Sequence, residues 1–224
     1  MSLENNGIFE NITQERERKA FIYTGGDIYP ELITEHPKGD DLCIAADSGY
    51  DNAVELGERP EIFIGDMDSL GARTLPADTE VIKLNPEKDL TDTQAAVELA
   101  ISRGVYDIVI VGGIGSRLDH TVSNLYILED MFLRHVHAII VNGKNRVRYI
   151  NSTSTLIGRS AYKYLSVIAA DSTVKGVCID GCKYPLKNDK INRRLQFAVS
   201  NEIEGNCALI SVRKGGIFII ESID

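Results

Sequence analysis

Cysteine is scarce in this sequence, and its placement excludes a thiolate metal centre. Of Cys43, Cys178, Cys182 and Cys207, one pair is close in sequence, and no second pair completes a four-sulfur zinc site. His36, His120, His135 and His137 do not fill that gap, and His135 and His137 read as a passage from helix to strand. The cysteines are therefore expected as reduced, packed residues. Long apolar runs are missing as well. None approaches the ~20 residues needed to span a bilayer, and the opening Met1-Ser2-Leu3-Glu4-Asn5-Asn6 has no signal-peptide core. These absences predict a soluble, cytoplasmic protein with no membrane partner. Positive charge is not in excess: Lys and Arg number 24 against 33 Asp and Glu, for a net charge of −9. That balance argues against a nucleic-acid partner but leaves room for one small nucleotide. What is present is ordinary, 43% hydrophobic and 25% charged residues over 224 positions. Such a composition suits a globular chain of one or two domains rather than a disordered, collagenous or coiled-coil one.

Through the first ~140 residues, short β-rich runs alternate with helical patterns. Strands are predicted at 20–24, 42–45, 62–64, 81–84, 108–111 and 137–141, and helices at 50–56, 91–103 and 120–134. The second helix is the clearest. Thr91-Asp92-Thr93-Gln94 has capping-box spacing, Ala96, Val97, Leu99, Ala100 and Ile101 supply apolar positions, and Gly104 ends it. Alternation of this kind predicts a mainly parallel α/β sheet. After Asn142-Gly143-Lys144-Asn145 the pattern changes to short β runs at 146–150, 155–157, 164–169, 174–179, 195–199, 207–212 and 217–221. No convincing helix interrupts them. The expected fold is thus α/β, with an N-terminal mainly parallel α/β domain (1–145) followed by a small all-β sandwich or barrel (146–224).

The usual nucleotide and hydrolase signatures are absent. There is no G-x-x-x-x-G-K-[ST] and no G-x-S-x-G, and Leu118 stands where a dinucleotide fingerprint starting at Gly113 needs its third glycine. Instead, polar residues gather at the predicted strand ends: Thr24-Gly25-Gly26-Asp27, Asp47-Ser48-Gly49, Gly65-Asp66-Met67-Asp68-Ser69, Lys88-Asp89-Leu90-Thr91-Asp92 and Gly112-Gly113-Ile114-Gly115-Ser116-Arg117-Leu118-Asp119-His120. Each alone reads as a turn or a helix cap. Together they put Asp47, Asp66, Asp68, Asp89, Asp92 and Asp119 on one rim, where ligands of parallel sheets bind. Crowded carboxylates repel unless they share a cation, and oxygen donors without a His or Cys cluster favour Mg²⁺ with substrate phosphates. Gly25, Gly26 and the 112–115 segment permit close backbone approach to phosphate, and Arg117 adds a forked donor.

The ordered set Asp47-Ser-Gly, Gly65-Asp-Met-Asp-Ser, Lys88-Asp-Leu-Thr-Asp92 and Gly112-Gly-Ile-Gly-Ser-Arg-Leu-Asp-His120 with Asn124 resembles the catalytic pattern of the thiamin pyrophosphokinase family. The β-rich remainder, with Ser200-Asn201-Glu202 and Lys214-Gly-Gly-Ile-Phe, is similar to that family's thiamin-binding part, so the resemblance spans about residues 20–222. It implies Mg²⁺-dependent pyrophosphoryl transfer from ATP, as co-substrate, to the hydroxyl of thiamin, in a homodimer with active sites between subunits. It also implies the site residues. Asp66, Asp68 and Asp92 would hold metal and phosphate with Asp89 close by, and Asp47 would face the reacting hydroxyl or the metal. Arg117 and Asp119 would hold the nucleotide, and Ser200 and Asn201 the thiamin; Gly25, Gly26 and Gly113, read above from their glycine-rich turns, complete the nucleotide-binding set. Two departures stand out. Ser48 occupies a place where the family often has glycine, and the chain has no Trp to lie against the thiamin rings. Two other classes share the acidic rim: a metal-dependent phosphohydrolase with water as acceptor, and a binding module without catalysis.

Overall fold

The structure, a computed structural model, describes residues 17–66, 74–85, 89–115 and 117–224. Six strands run parallel: β1 (Lys19–Tyr23), β2 (Leu42–Ala46), β3 (Ile62–Gly65), β4 (Glu80–Lys83), β5 (Asp107–Val111) and β6 (His137–Val141), in the order β4-β3-β2-β1-β5-β6. Among the described residues three α-helices link them: α1 (Gly49–Glu55), α2 (Asp92–Ser102) and α3 (Leu118–Leu133). The inner strands are near-continuous apolar runs because both of their faces are covered. Ala20, Ile22, Ile44, Ile108 and Ile110 meet Ala96, Val97 and Ala100 of α2 and Leu128 and Met131 of α3. The alternate residues Phe21, Tyr23, Cys43, Val109 and Val111 cluster with Ala53 of α1 and Ile33 on the opposite face. Thr91 caps α2, its Oγ1 accepting from the Gln94 N–H at 3.2 Å. His135, at φ +59, turns the chain from α3 into β6 as its sequence position suggests. All four cysteines are free, and burial pushes the Cys43 thiol up to about 12. No helix among the described residues is long and apolar enough to cross a membrane.

At Asn142-Gly143-Lys144-Asn145 the chain reverses. The Asn142 Oδ1 accepts from the Asn145 N–H at 2.8 Å, and Gly143 sits at φ +93, a conformation that suits glycine. Strand β7 (Asn145–Asn151) therefore pairs antiparallel with β6, and the sheet continues through β13 (Gly216–Ser222) to β9 (Tyr164–Ala169). A second sheet, ordered β11 (Leu186–Asn192), β10 (Thr173–Asp180), β12 (Cys207–Lys214) and β8 (Ser154–Gly158), lies over this extension. Ile150, Val167, Ile217 and Ile219 from one sheet and Val174, Val177, Ala208 and Ile210 from the other form the sandwich core. The predicted strand at 195–199 is a correction. That run joins no sheet as a strand, although the Ala198 carbonyl accepts from the Val167 N–H at 2.7 Å. The strand the pattern missed is β11, whose Leu-Lys-Asn-Asp-Lys-Ile-Asn is largely exposed at a sheet edge.

Beside the apolar sandwich core lies a buried ion network. Glu221 of β13, with 3% of its side chain exposed, bonds Arg148 at 2.6 Å and Arg146 at 3.5 Å, and Arg146 also pairs with Glu35. Burial penalises both guanidinium groups. At Arg146 the carboxylates of Glu35 and Glu221 outweigh it and raise the pKa, whereas at Arg148 burial prevails and lowers it. Removing one partner of such a set leaves uncompensated buried charge. Glu221→Ala is expected to destabilise the fold by about 3–5 kcal/mol. Urea denaturation measures this, and a loss below ~1 kcal/mol would show that the network adds nothing beyond an exposed pair.

Candidate active site

The strand order turns about β1, with β2 on one side and β5 on the other, which makes the end of β1 a topological switch point. A cleft of about 200 Å³ opens there, lined by Thr24, Gly25, Gly26, Asp47, Asp92 and Gly113 among others. Two glycine-rich turns form its floor and are tied together. The Thr24 N–H donates to the Val111 carbonyl at 2.9 Å, and the Asp27 N–H to the Ile114 carbonyl at 2.9 Å. A Cβ on Gly26 would stand 2.1 Å from the Gly112 carbonyl oxygen, so only glycine lets the turns touch. Three amide or hydroxyl side chains brace them. Asn52 Nδ2 donates to the carbonyls of Thr24 (2.6 Å) and Gly26 (2.8 Å), Asn124 Nδ2 to that of Gly113 (2.9 Å), and the Gly115 N–H donates to Thr121 Oγ1 (3.2 Å).

The helices α2 and α3 both begin at this cleft, through Thr91–Thr93 and Arg117–Thr121. First-turn N–H groups lack intrahelical partners, and with the helix dipole they favour an anion. Two carboxylates enter the same space. Asp47 follows β2 in a left-handed conformation (φ +51), its N–H bonded to the Ile64 carbonyl at 2.9 Å, and Asp92 is the first residue of α2. Backbone held in this sparsely used region is common at functional sites. Arg117 grips Asp119 through Nη2 (2.6 Å) and Nε (3.2 Å); this pairing holds the Asp119 carboxyl below its usual pKa and the guanidinium above its own.

Of the residues singled out from sequence, the structure brings Asp47, Asp92, Gly25, Gly26, Gly113 and Arg117 together in the cleft lining. Asp66 follows the neighbouring strand β3, Asp89 precedes α2 and is exposed, and Asp119 touches the cleft through Arg117. Asp68, Lys88 and Ser116 lie outside the described residues. Ser48, the departure noted above, stands against Gly25, where a Cβ would meet its Oγ at 2.0 Å. Among the described residues no three His, Cys, Asp or Glu side chains are placed to hold a metal. Mg²⁺ commonly takes one or two carboxylates with substrate phosphates, and Asp47 and Asp92 supply two. Sequence reading missed Asn52, which acts through a distant segment, and Thr121, which ties the turn at Gly115 to the start of α3; an amide within a helix is the one local sign of the first.

Ser200 and Asn201 do not line the cleft; they lie along β9. The Asn201 backbone pairs with Leu165 in both directions, and the residue is 3% exposed. Its Oδ1 accepts from the Tyr184 N–H at 2.9 Å, and its Nδ2 donates to the Tyr184 carbonyl at 2.8 Å. Tyr184 is consequently fixed by its backbone while the residue remains 60% exposed. Ser200, at φ +57, donates its N–H to Ser166 Oγ at 3.0 Å.

Residues 34–141 match the family described as Thiamin pyrophosphokinase, catalytic domain, and residues 153–217 match Thiamin pyrophosphokinase, vitamin B1 binding domain. The chain is 27% identical over 210 residues to Thiamine pyrophosphokinase of Bacillus subtilis (strain 168), covering 91% of this chain and 98% of that one. Its structure is similar to that of Thiamin pyrophosphokinase from Geobacillus thermodenitrificans, with a TM-score of 0.79, 28% identity, and 92% and 98% of the two chains covered. The Bacillus subtilis crystal structure shares the fold at a TM-score of 0.81, 24% identity, and 92% and 100% coverage. With both halves of the pattern matched in order and a shared fold across nearly the whole length, this chain belongs to the thiamin pyrophosphokinase family.

Proposed function

We propose that the chain transfers the pyrophosphoryl group of ATP to the hydroxyl of thiamin in a Mg²⁺-dependent reaction, giving thiamin diphosphate and AMP. The observation that carries this reading is the convergence of Asp47, Asp92, Arg117, two glycine-rich turns and the starts of α2 and α3 on one switch-point cleft. Transfer of this kind asks the protein mainly for alignment and charge stabilisation. In this reading the N–H groups of Gly25, Gly26 and Gly113 and both helix starts bind phosphate oxygens, and Arg117, oriented by Asp119, adds a forked donor. Asp92 would hold Mg²⁺ together with Asp66 and Asp68, with Asp89 close by. Bound there, Mg²⁺ supplies neutralisation of polyphosphate charge. The thiamin hydroxyl oxygen attacks the β-phosphorus, the bond from that phosphorus to the oxygen bridging to the α-phosphate breaks, and AMP leaves. Asp47 faces the hydroxyl and takes its proton.

Ser200 and the ring of Tyr184 are the groups offered to thiamin, with Asn201 acting through Tyr184 and the ring serving where tryptophan is lacking. Because this corner does not line the cleft of its own chain, the active unit is a homodimer in which the corner of one subunit meets the cleft of the other. An exposed apolar stripe supports this assembly. Leu118, Val122 and Tyr126 recur every fourth residue of α3 and lie 75%, 40% and 55% exposed. The stripe starts at the cleft mouth and runs into a groove with Ile168, Phe218 and Ile220. The four free thiols suit the reducing cytoplasm in which the reading places the protein.

Incubation with ATP, Mg²⁺ and thiamin, followed by product identification, tests the assignment. AMP and thiamin diphosphate are expected in equal amounts. Stoichiometric ADP would overturn it, and phosphate release without consumption of thiamin would favour a phosphohydrolase.

A further inference from the structure

Asn52 does not line the cleft, yet its amide nitrogen bonds two carbonyls of the cleft floor. It lies on α1, which covers the sheet face opposite α2 and α3. Both hydrogens of its Nδ2 are committed, to the carbonyl oxygens of Thr24 and Gly26. The same nitrogen lies 2.8 Å from where a Cβ on Gly112 would be, so it sits where the two glycine-rich turns cross.

A trans peptide points its C=O and the following N–H in opposite directions. With the Thr24 and Gly26 carbonyls drawn back toward α1, the N–H groups of Gly25 and Asp27 face away from it. The Asp27 N–H follows this rule and meets the Ile114 carbonyl at 2.9 Å. The Gly25 N–H has no acceptor among the described residues, and Gly25 borders the cleft. We infer that Asn52 is a positioning residue for the polyphosphate: from behind the turn it aims the Gly25 N–H at a phosphate oxygen in the cleft. This inference rests on the reading that the cleft takes the triphosphate of ATP. Without the amide, the turn is free to rotate its peptides, and the Thr24 carbonyl, in a buried residue, loses its partner.

Asn52→Asp keeps the shape and removes both donors, and Asn52→Ala removes the group. Inorganic tripolyphosphate with Mg²⁺ is the probe, because it engages the phosphate subsite without the base. Calorimetry is expected to show tripolyphosphate binding at least tenfold weaker in both variants, with thiamin binding changed less than twofold. A purely structural role would lower the melting temperature and leave tripolyphosphate affinity intact well below it, and that result overturns the inference. So does an equal loss of thiamin and tripolyphosphate binding. If the unaltered protein binds neither tripolyphosphate nor ATP, the functional reading itself falls, and this inference with it. Should the variants fail to fold, the Gly25 amide is followed by ¹⁵N NMR in the unaltered protein. A chemical-shift change at Gly25 on addition of tripolyphosphate supports the aim of that N–H, and an unmoved Gly25 resonance overturns it.

Discussion

Asp92→Asn is expected to remove 99% or more of pyrophosphoryl transfer while leaving the fold in place. Asp92 is the first residue of α2 and lines the cleft, so in the proposed reaction its charge lies where polyphosphate and cation would meet. By analogy with one lost oxyanion donor, losing that charge costs about 2.7–4 kcal/mol of transition-state stabilisation, or roughly 10²–10³ in kcat. The cost to the helix is far smaller. A carboxylate in the first turn contributes about 0.3–1 kcal/mol through the dipole, and Thr91 still caps the Gln94 N–H. The variant should therefore melt within a few degrees of the unaltered protein and show its defect in kcat at saturating ATP, thiamin and Mg²⁺. Near-normal turnover under those conditions would remove Asp92 from the metal-holding set. Asp47→Asn makes a parallel test, since Asn tolerates the left-handed backbone found at position 47.

The clarity of Asp92 from sequence follows from its position. Strands buried on both faces, such as β1, β2 and β5, print as continuous apolar runs, so the polar residues just after them stand out as strand ends. Capping chemistry at Thr91 then located the start of α2 to within one residue. What the pattern did not reveal is what depends on distant partners. Among the described residues β11 pairs only with β10, and it carries polar, exposed residues, so nothing local marks it as a strand. The run at 195–199 alternates as a strand would, but Leu195, Phe197 and Val199 face outward and only Ala198 is buried. Asn52 lies 28 residues from the Thr24 carbonyl it holds, and no spacing rule links an amide in one helix to a glycine turn in another segment. Asn201 was legible as part of a motif, yet its side chain turns inward to Tyr184, so the motif marks a supporting contact beside the groups that face outward.

Tyr126→Asp is expected to convert the protein to single chains and to abolish thiamin-dependent turnover while preserving tripolyphosphate binding. Tyr126 stands partway along the stripe that leads from the cleft mouth, in a groove with Val122, Leu125 and Phe218. Leu195, Phe197 and Val199 add exposed apolar surface on the segment leading to Ser200. Contiguous apolar surface of this kind marks an interaction site, and a charge buried without a partner inside an interface costs several kcal/mol. In the proposed dimer the cleft, built within one chain, would keep its phosphate donors, and loss of the partner would remove only the corner that carries Ser200 and Tyr184. Sedimentation velocity gives the mass, and calorimetry with tripolyphosphate checks that the cleft is intact. A complementary mixture tests the arrangement between subunits. Asp92→Asn protein and Tyr184→Ala protein, each weakly active alone, form after subunit exchange a heterodimer in which one cleft has its own Asp92 and faces an intact Tyr184. Activity should rise well above that of either parent. A dimeric Tyr126→Asp protein would move the contact elsewhere on the surface, and absence of recovery despite demonstrated exchange would assign the whole site to one chain.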